Sequence, residues 1–142
     1  MTVLLLAHAG ATLAMAGLIW FVQLVHYPLF DRAERDRFTE FESEHQRRTT
    51  VVVMPLMVTE LVTAAWLLVE GWRGPQQFLL LIGAVLLAVI WLSTALLQVP
   101  LHGRLSGGFD AVTHRRLVAT NWIRTLAWSA RGVLSLALLA GR

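Results

Sequence analysis

Apolar stretches long enough to cross a membrane alternate along this chain with short polar ones, and the polar residues gather where the apolar stretches end. The first thirty residues carry no charged side chain and close on "QLVHYPLF" at 23–30. A second uncharged run closes on "QVPLHGRL" at 98–105 with nearly the same polar set. A hydrocarbon core about 30 Å thick takes roughly 20 helical residues to cross. Four segments meet that length: residues 3–25, 51–69, 78–99 and 117–139. The pattern predicts an all-α fold, a four-transmembrane-helix bundle forming a single domain over residues 1–142. The first segment lacks a basic n-region, and its apolar stretch exceeds the ~7–15 residues of a signal peptide. It reads as a retained span.

Charge sets an orientation. The connection from His26 to Thr50 holds Arg32, Arg35, Arg37, Arg47 and Arg48, and the one from Pro100 to Arg116 holds Arg104, Arg115 and Arg116. The connection from Glu70 to Gln77 has only Arg73. Counting Arg places the first and third connections in the cytoplasm and both termini outside. Within the first, Phe38, Phe41 and His45 share a helical stripe among Glu and Arg, which predicts an amphipathic cytoplasmic helix on the membrane surface. A salt-bridged, solvated helix leading into the second span fits the same residues. In the third connection, Asp110 is placed to N-cap a helix that runs through His114 into the fourth span.

The two halves of the chain repeat a sequence of events. A span ends in Gln then His (Gln23 and His26; Gln98 and His102), an Arg-bearing segment follows, and another His (His45, His114) precedes the next span. Such a repeat relates two helical hairpins by an axis along the membrane normal. It brings His26, His45, His102 and His114 to one end of the bundle.

Composition narrows the chemistry. The chain is 56% hydrophobic and 15% charged, below the quarter charged of an ordinary soluble domain. Every basic residue is Arg, which excludes Schiff-base chemistry, and the absence of Cys excludes thiolate sites and thiol catalysis. Arg in short loops beside apolar segments suits a membrane topology and argues against nucleic-acid binding. Four convergent imidazoles are candidate ligands for haem or a transition metal, the alternative being interfacial hydrogen bonding beside the belt residue Tyr27. Glu42 and His45 have Glu-x-x-His spacing, which occurs once and in a Glu-rich stretch. His8, near the opposite surface, reads as structural.

Charges within the spans are the sharper signal. Glu60 lies near the middle of the second span, and Arg124 and Arg131 lie within the fourth. Each costs roughly 2.5–3.5 kcal/mol at a helix centre, so each is expected to face the interior, with an ion pair from Glu60 to either Arg. Pro55 is expected to kink the second span and free carbonyls toward the bundle. In the fourth span His114, Asn121 and Trp128 recur every seven residues, with Arg124 and Arg131 on the flank and within cation–π reach of Trp128. This lining suits a flat, electron-rich ligand. Gln23, Gln98, Glu60, Trp122, Trp128 and Arg131 are candidate substrate contacts.

At "QLVHYPLF", "MPLMVTE" and above all "NWIRTLAWSARG", the chain resembles the anthrone-oxygenase-like family of small four-helix integral membrane proteins, which includes bacterial members and fungal enzymes that oxidise polyketide anthrones. The match is strongest at Asn121, Trp122 and Arg124, followed by Trp128 and Arg131. The resemblance implies a four-helix membrane bundle, in a bacterial inner membrane, that oxidises a hydrophobic aromatic molecule. The chain is also similar in size to four-span haem-binding protoporphyrinogen oxidases, but those rely on a Lys that this sequence lacks. The expected function is therefore a membrane-embedded oxidoreductase or oxygenase. Its substrate sits between spans two and four, Arg124 and Asn121 serve as oxyanion donors, and His45 or His114 acts as general base. The cofactor is open: haem, a His-ligated metal, or none. The alternatives are a non-enzymatic haem- or metal-binding membrane protein and a structural subunit, alone or in an oligomer.

Overall fold

The computed structural model describes residues 2–141. Among these, four helices are long and apolar enough to cross a membrane: Thr2–Arg32, Arg35–Glu70, Gln77–Leu105 and Ala111–Ala140, called here the first to fourth helices. The first packs on the fourth and the second, and the third on the fourth and the second. Consecutive helices are thus neighbours in an up-and-down bundle, in keeping with an integral membrane protein.

The polarity of the bundle is inverted relative to a soluble one. Leu6, Trp66, Leu92, Leu96, Val133 and Leu136 point outward, while Glu42, Glu60, Asn121, Arg124 and Arg131 are buried. Lipid tails give apolar side chains no reason to turn inward, whereas a polar group in hydrocarbon has to find a partner within the protein. Close packing is local. A Cβ on Gly132 would touch Leu13 at 3.4 Å, so the first and fourth helices approach closely there.

The first and third helices each contain one π-helical turn, Val22–His26 and Thr94–Gln98. Tyr27 N–H bonds the carbonyl of Val22, and Val99 N–H that of Thr94, five residues back in each case. The cause lies one residue further on. Pro28 and Pro100 have no N–H and crowd the carbonyl four residues before them, so the helix widens to let the ring in. Pro55 behaves otherwise. The regular α-helix Phe38–Glu70 passes through it unbroken, and both Pro55 and Val51, whose carbonyl it frees, are exposed on the outer face. The carbonyl expected to face the bundle therefore faces away from it.

The same helix shows that the segment expected to lie separately on the membrane surface is continuous with the second span. Its exposed face carries Arg37–Glu40 and Arg47–Glu44 ion pairs at 3.0 and 2.7 Å. The stripe it buries is Phe38, Glu42 and His45, while Phe41 is on the rim. In the third connection Gly108, at φ 134°, makes the turn. Asp110 then caps the fourth helix by accepting from Thr113 N–H at 2.7 Å. That bond, with its backbone neighbours, holds the Asp110 carboxyl below the usual aspartate range.

Candidate functional site

The wide turn in the first helix delivers His26, Tyr27 and Phe30 to one end of the bundle, where the other helices supply the remaining polar groups. Phe30 is fully buried at the hub. Its ring centroid lies 5.3 Å from that of His26, 4.9 Å from His45, 6.5 Å from His102 and 6.2 Å from His114. The four imidazoles do converge, but around an aromatic ring. His26 Nε2 and His45 Nδ1 are 2.7 Å apart, and His45 Nδ1 also meets Thr49 Oγ1 at 3.1 Å. His114 Nε2 donates to the Tyr27 carbonyl at 2.8 Å. Among the described residues no group of three or more His, Asp or Glu is arranged to hold a metal ion. The ring nitrogens are instead engaged with one another, with Tyr27 and with Glu42.

One hydrogen-bonded chain stands out. Glu42, fully buried, accepts from His102 Nδ1 at 2.6 Å, and Gln46 donates to the same Oε1 at 3.1 Å. With its proton on Nδ1, His102 presents the Nε2 lone pair to the Tyr27 hydroxyl 2.9 Å away. The Arg124 guanidinium lies beside that hydroxyl. The order carboxylate, imidazole, phenol, guanidinium runs from the surface end into the bundle. The oxygen that Arg124 faces is therefore the protein's own, which departs from its expected role at a substrate oxyanion.

Other expected site residues serve as ties between helices. Asn121 Nδ2 donates to Gln23 Oε1 at 2.9 Å, and Gln23 Nε2 donates to the Val118 carbonyl. Gln98 Nε2 donates to Thr120 Oγ1 at 3.0 Å. The two glutamines thus bind the first and third helices to the fourth. Glu60 pairs with Arg131, which also donates to the Gly83 carbonyl, while Thr12 donates to Glu60 at 3.3 Å. Arg131 is turned to this pair and makes no cation–π contact with Trp128; among the described residues the cation–π contact is Arg35 over Phe109. Trp128 is fully buried, but Trp122 faces outward, its ring edge-on to Trp20 at 5.5 Å. Trp122 therefore lines no interior site.

Two openings matter. A surface pocket of about 730 Å³ has His26 and His45 in its lining, with Leu29 and Phe41 as apolar walls and Arg32, Arg37 and Arg48 among its charged residues. A lateral cleft of about 340 Å³ opens between the second, third and fourth helices. It lies where a substrate was expected, but of the expected contacts only Arg131 lines it, joined by His8. The sequence reading passed over Glu42, Tyr27 and Phe30. Glu42 was legible as the middle of a Phe38–Glu42–His45 stripe with i, i+4, i+7 spacing; nothing in the sequence marks Phe30 as a hub.

The fold and site together define a four-helix membrane bundle with a polar interior and a His–Tyr–Glu cluster at one end. No protein-family model, curated protein or solved structure matches the chain.

Proposed function

We propose that the protein is a membrane-embedded oxidoreductase of the oxygenase type, acting on a hydrophobic aromatic molecule with an acidic proton at the His-rich end of the bundle. The observation that carries this reading is the buried Glu42–His102–Tyr27 chain, set against the His26–His45 pair that lines the surface pocket. Ordinary packing has no use for a carboxylate, three imidazoles and a phenol in one place, and convergent polar groups beside a pocket are what acid–base chemistry needs. The substrate lies with its ring against Leu29 and Phe41 and its polar edge at the His pair. His45 or His26 takes the substrate proton. The Glu42–His102 pair fixes the proton position at Tyr27, and Arg124 holds negative charge there. Dioxygen is the oxidant: a methylene carbon and O₂ give a carbonyl and one water, a balance in which the protein moves only protons. The resemblance at Asn121, Trp122 and Arg124 supports the aromatic substrate class.

The same reading places the His cluster on the cytoplasmic side of a bacterial inner membrane, because the connections flanking it are rich in Arg. The surface-exposed turns of the Phe38–Glu70 helix form its cytoplasmic part. The paired π turns before Pro28 and Pro100 support an internal repeat of two helical hairpins. Their register sets His26 against Gln98 and Phe30 against His102.

The test is oxygen uptake by the detergent-purified protein with a panel of lipophilic anthrones and hydroquinones, alongside its visible spectrum and metal content. Turnover in the wild type and a fall of about 10²–10⁴ in His45→Gln are expected. Uptake unaffected by His45→Gln and His26→Gln together would refute the assignment. A Soret band, or a stoichiometric metal lost on those substitutions, would replace it with the cofactor-holding alternative.

A further inference from the structure

The lateral cleft lies at the opposite end of the bundle from the His26–His45 pair and has a chemistry of its own. Its walls are Leu61, Ala64, Ala65, Leu79, Leu80, Ala84, Leu87 and Ala88 with Leu134 and Leu138, and its polar lining comes from His8, Arg131 and Ser135. Leu61, Ala65 and Ala88 at its mouth are exposed on the outer surface of the bundle, so it opens sideways, toward the bilayer. Alanines and Gly83 keep it open; larger residues at those positions would fill it.

The protonation of His8 follows from its neighbours. Thr63 Oγ1 gives its one hydrogen to the Thr59 carbonyl at 2.7 Å. The 3.0 Å contact between His8 Nδ1 and Thr63 Oγ1 then requires His8 to donate. The proton is on Nδ1, and Nε2 carries a lone pair. That nitrogen has no partner among the described residues and is not among the fully enclosed unpaired atoms, so it is the edge of the ring left to the cleft. In hydrocarbon an acceptor without a donor is costly, and an acyl chain cannot supply one. The neighbouring charges do not call for an ion, because Arg131 is already neutralised by Glu60. The occupant that satisfies the cleft is uncharged, apolar along most of its length, and carries a hydroxyl.

We propose that the lateral cleft is a binding site for a lipophilic alcohol taken up from the bilayer, its hydroxyl donating to His8 Nε2 and its chain lying between the second and third helices. A volume of about 340 Å³ is at the lower end of small-molecule sites, which run from roughly 300 to 1,000 Å³. The site is separate from the interfacial pocket, and its test does not depend on turnover.

The experiment is equilibrium binding of radiolabelled farnesol and of farnesyl methyl ether to the full-length protein in nanodiscs. The ether keeps the chain and the oxygen but lacks the O–H. The wild type is expected to prefer farnesol by about tenfold, the worth of one neutral hydrogen bond. His8→Leu is expected to remove the preference while leaving ether binding in place, and Ala84→Trp to abolish binding of both. Should His8→Leu fail to fold, the alcohol-to-ether ratio in the wild type and its response to Ala84→Trp still decide the matter. Equal affinity for alcohol and ether in the wild type would overturn the role of His8, and binding that survives Ala84→Trp would overturn the location.

Discussion

The buried pair of Glu60 and Arg131 gives a quantitative test of how the bundle holds its charges. Glu60 has no exposed surface and Arg131 only 3%, and Arg131 is further held by the Gly83 carbonyl. Replacing Glu60 with Leu leaves a guanidinium that cannot shed its proton in a medium that does not solvate it. Loss of one partner of a buried pair costs about 3–5 kcal/mol, and this variant should sit in that range. Arg131→Met should cost less, about 1–3 kcal/mol, because a lone buried carboxyl can neutralise itself by taking up a proton and then lacks only hydrogen bonds. The double variant removes both charges and should lie within about 1 kcal/mol of the wild type, since apolar replacement of a buried pair is often neutral or better. The coupling energy from the cycle is then several kcal/mol. Unfolding in mixed micelles titrated with SDS, followed by tryptophan fluorescence, measures all four species. Additivity of the two single changes to within about 0.5 kcal/mol would show that the charges do not depend on each other, and the reasoning would fail.

Three further outcomes follow from named contacts. Tyr27→Phe strips the donor from His102 Nε2 and the oxygen from Arg124 and is expected to destabilise by about 1–3 kcal/mol in the same unfolding assay; a neutral result would deny the chain its order. Trp122→Ala loses an edge-to-face pair worth about 0.5–1.5 kcal/mol beyond its area. Because Trp122 faces outward, oxygen uptake should stay within twofold of the wild type, and a hundredfold fall would return that residue to the site. The Asp110 cap should be pH-dependent. Its carboxyl is held below the usual aspartate range by Thr113, so its contribution is present above the unfolded-state value and is lost as pH falls through the folded one. Asp110→Asn keeps a capping oxygen but removes the titration, and the acid limb of the melting profile should flatten; an unchanged limb would count against the cap.

The sequence was legible where a residue's cost in hydrocarbon forces its hand. Four spans, the inward direction of Glu60, Arg124 and Arg131, and the stripe of His114, Asn121 and Trp128 all follow from what lipid will not accept. Partner choice was not legible in that way. Glu60 had two arginines within geometric reach by rise per residue, and only the packed helices select Arg131. The one-residue widening at Val22–His26 also escapes a 3.6-residue periodicity. Past it, Tyr27 turns inward although its type suggested the membrane interface. Phe41 was counted into a stripe that Glu42 in fact occupies, because an acidic residue among other acidic residues gives no composition signal. Trp122 misled for the opposite reason: a large aromatic next to Asn121 reads as part of a site, yet at a lipid-facing position it needs no further purpose.

The π turns also say something about how such a protein can change over generations. Each holds one residue more than an α-helix requires, and a widened turn is what a single inserted codon leaves in a helix that is too well anchored at both ends to unwind. Losing that codon would restore an ordinary helix without disturbing the crossing or the loops, while swinging everything beyond it by about 100°. In the first helix that rotation would carry Tyr27 and Phe30 off the bundle axis. A membrane scaffold of this kind can therefore acquire or lose its polar end in one mutational step.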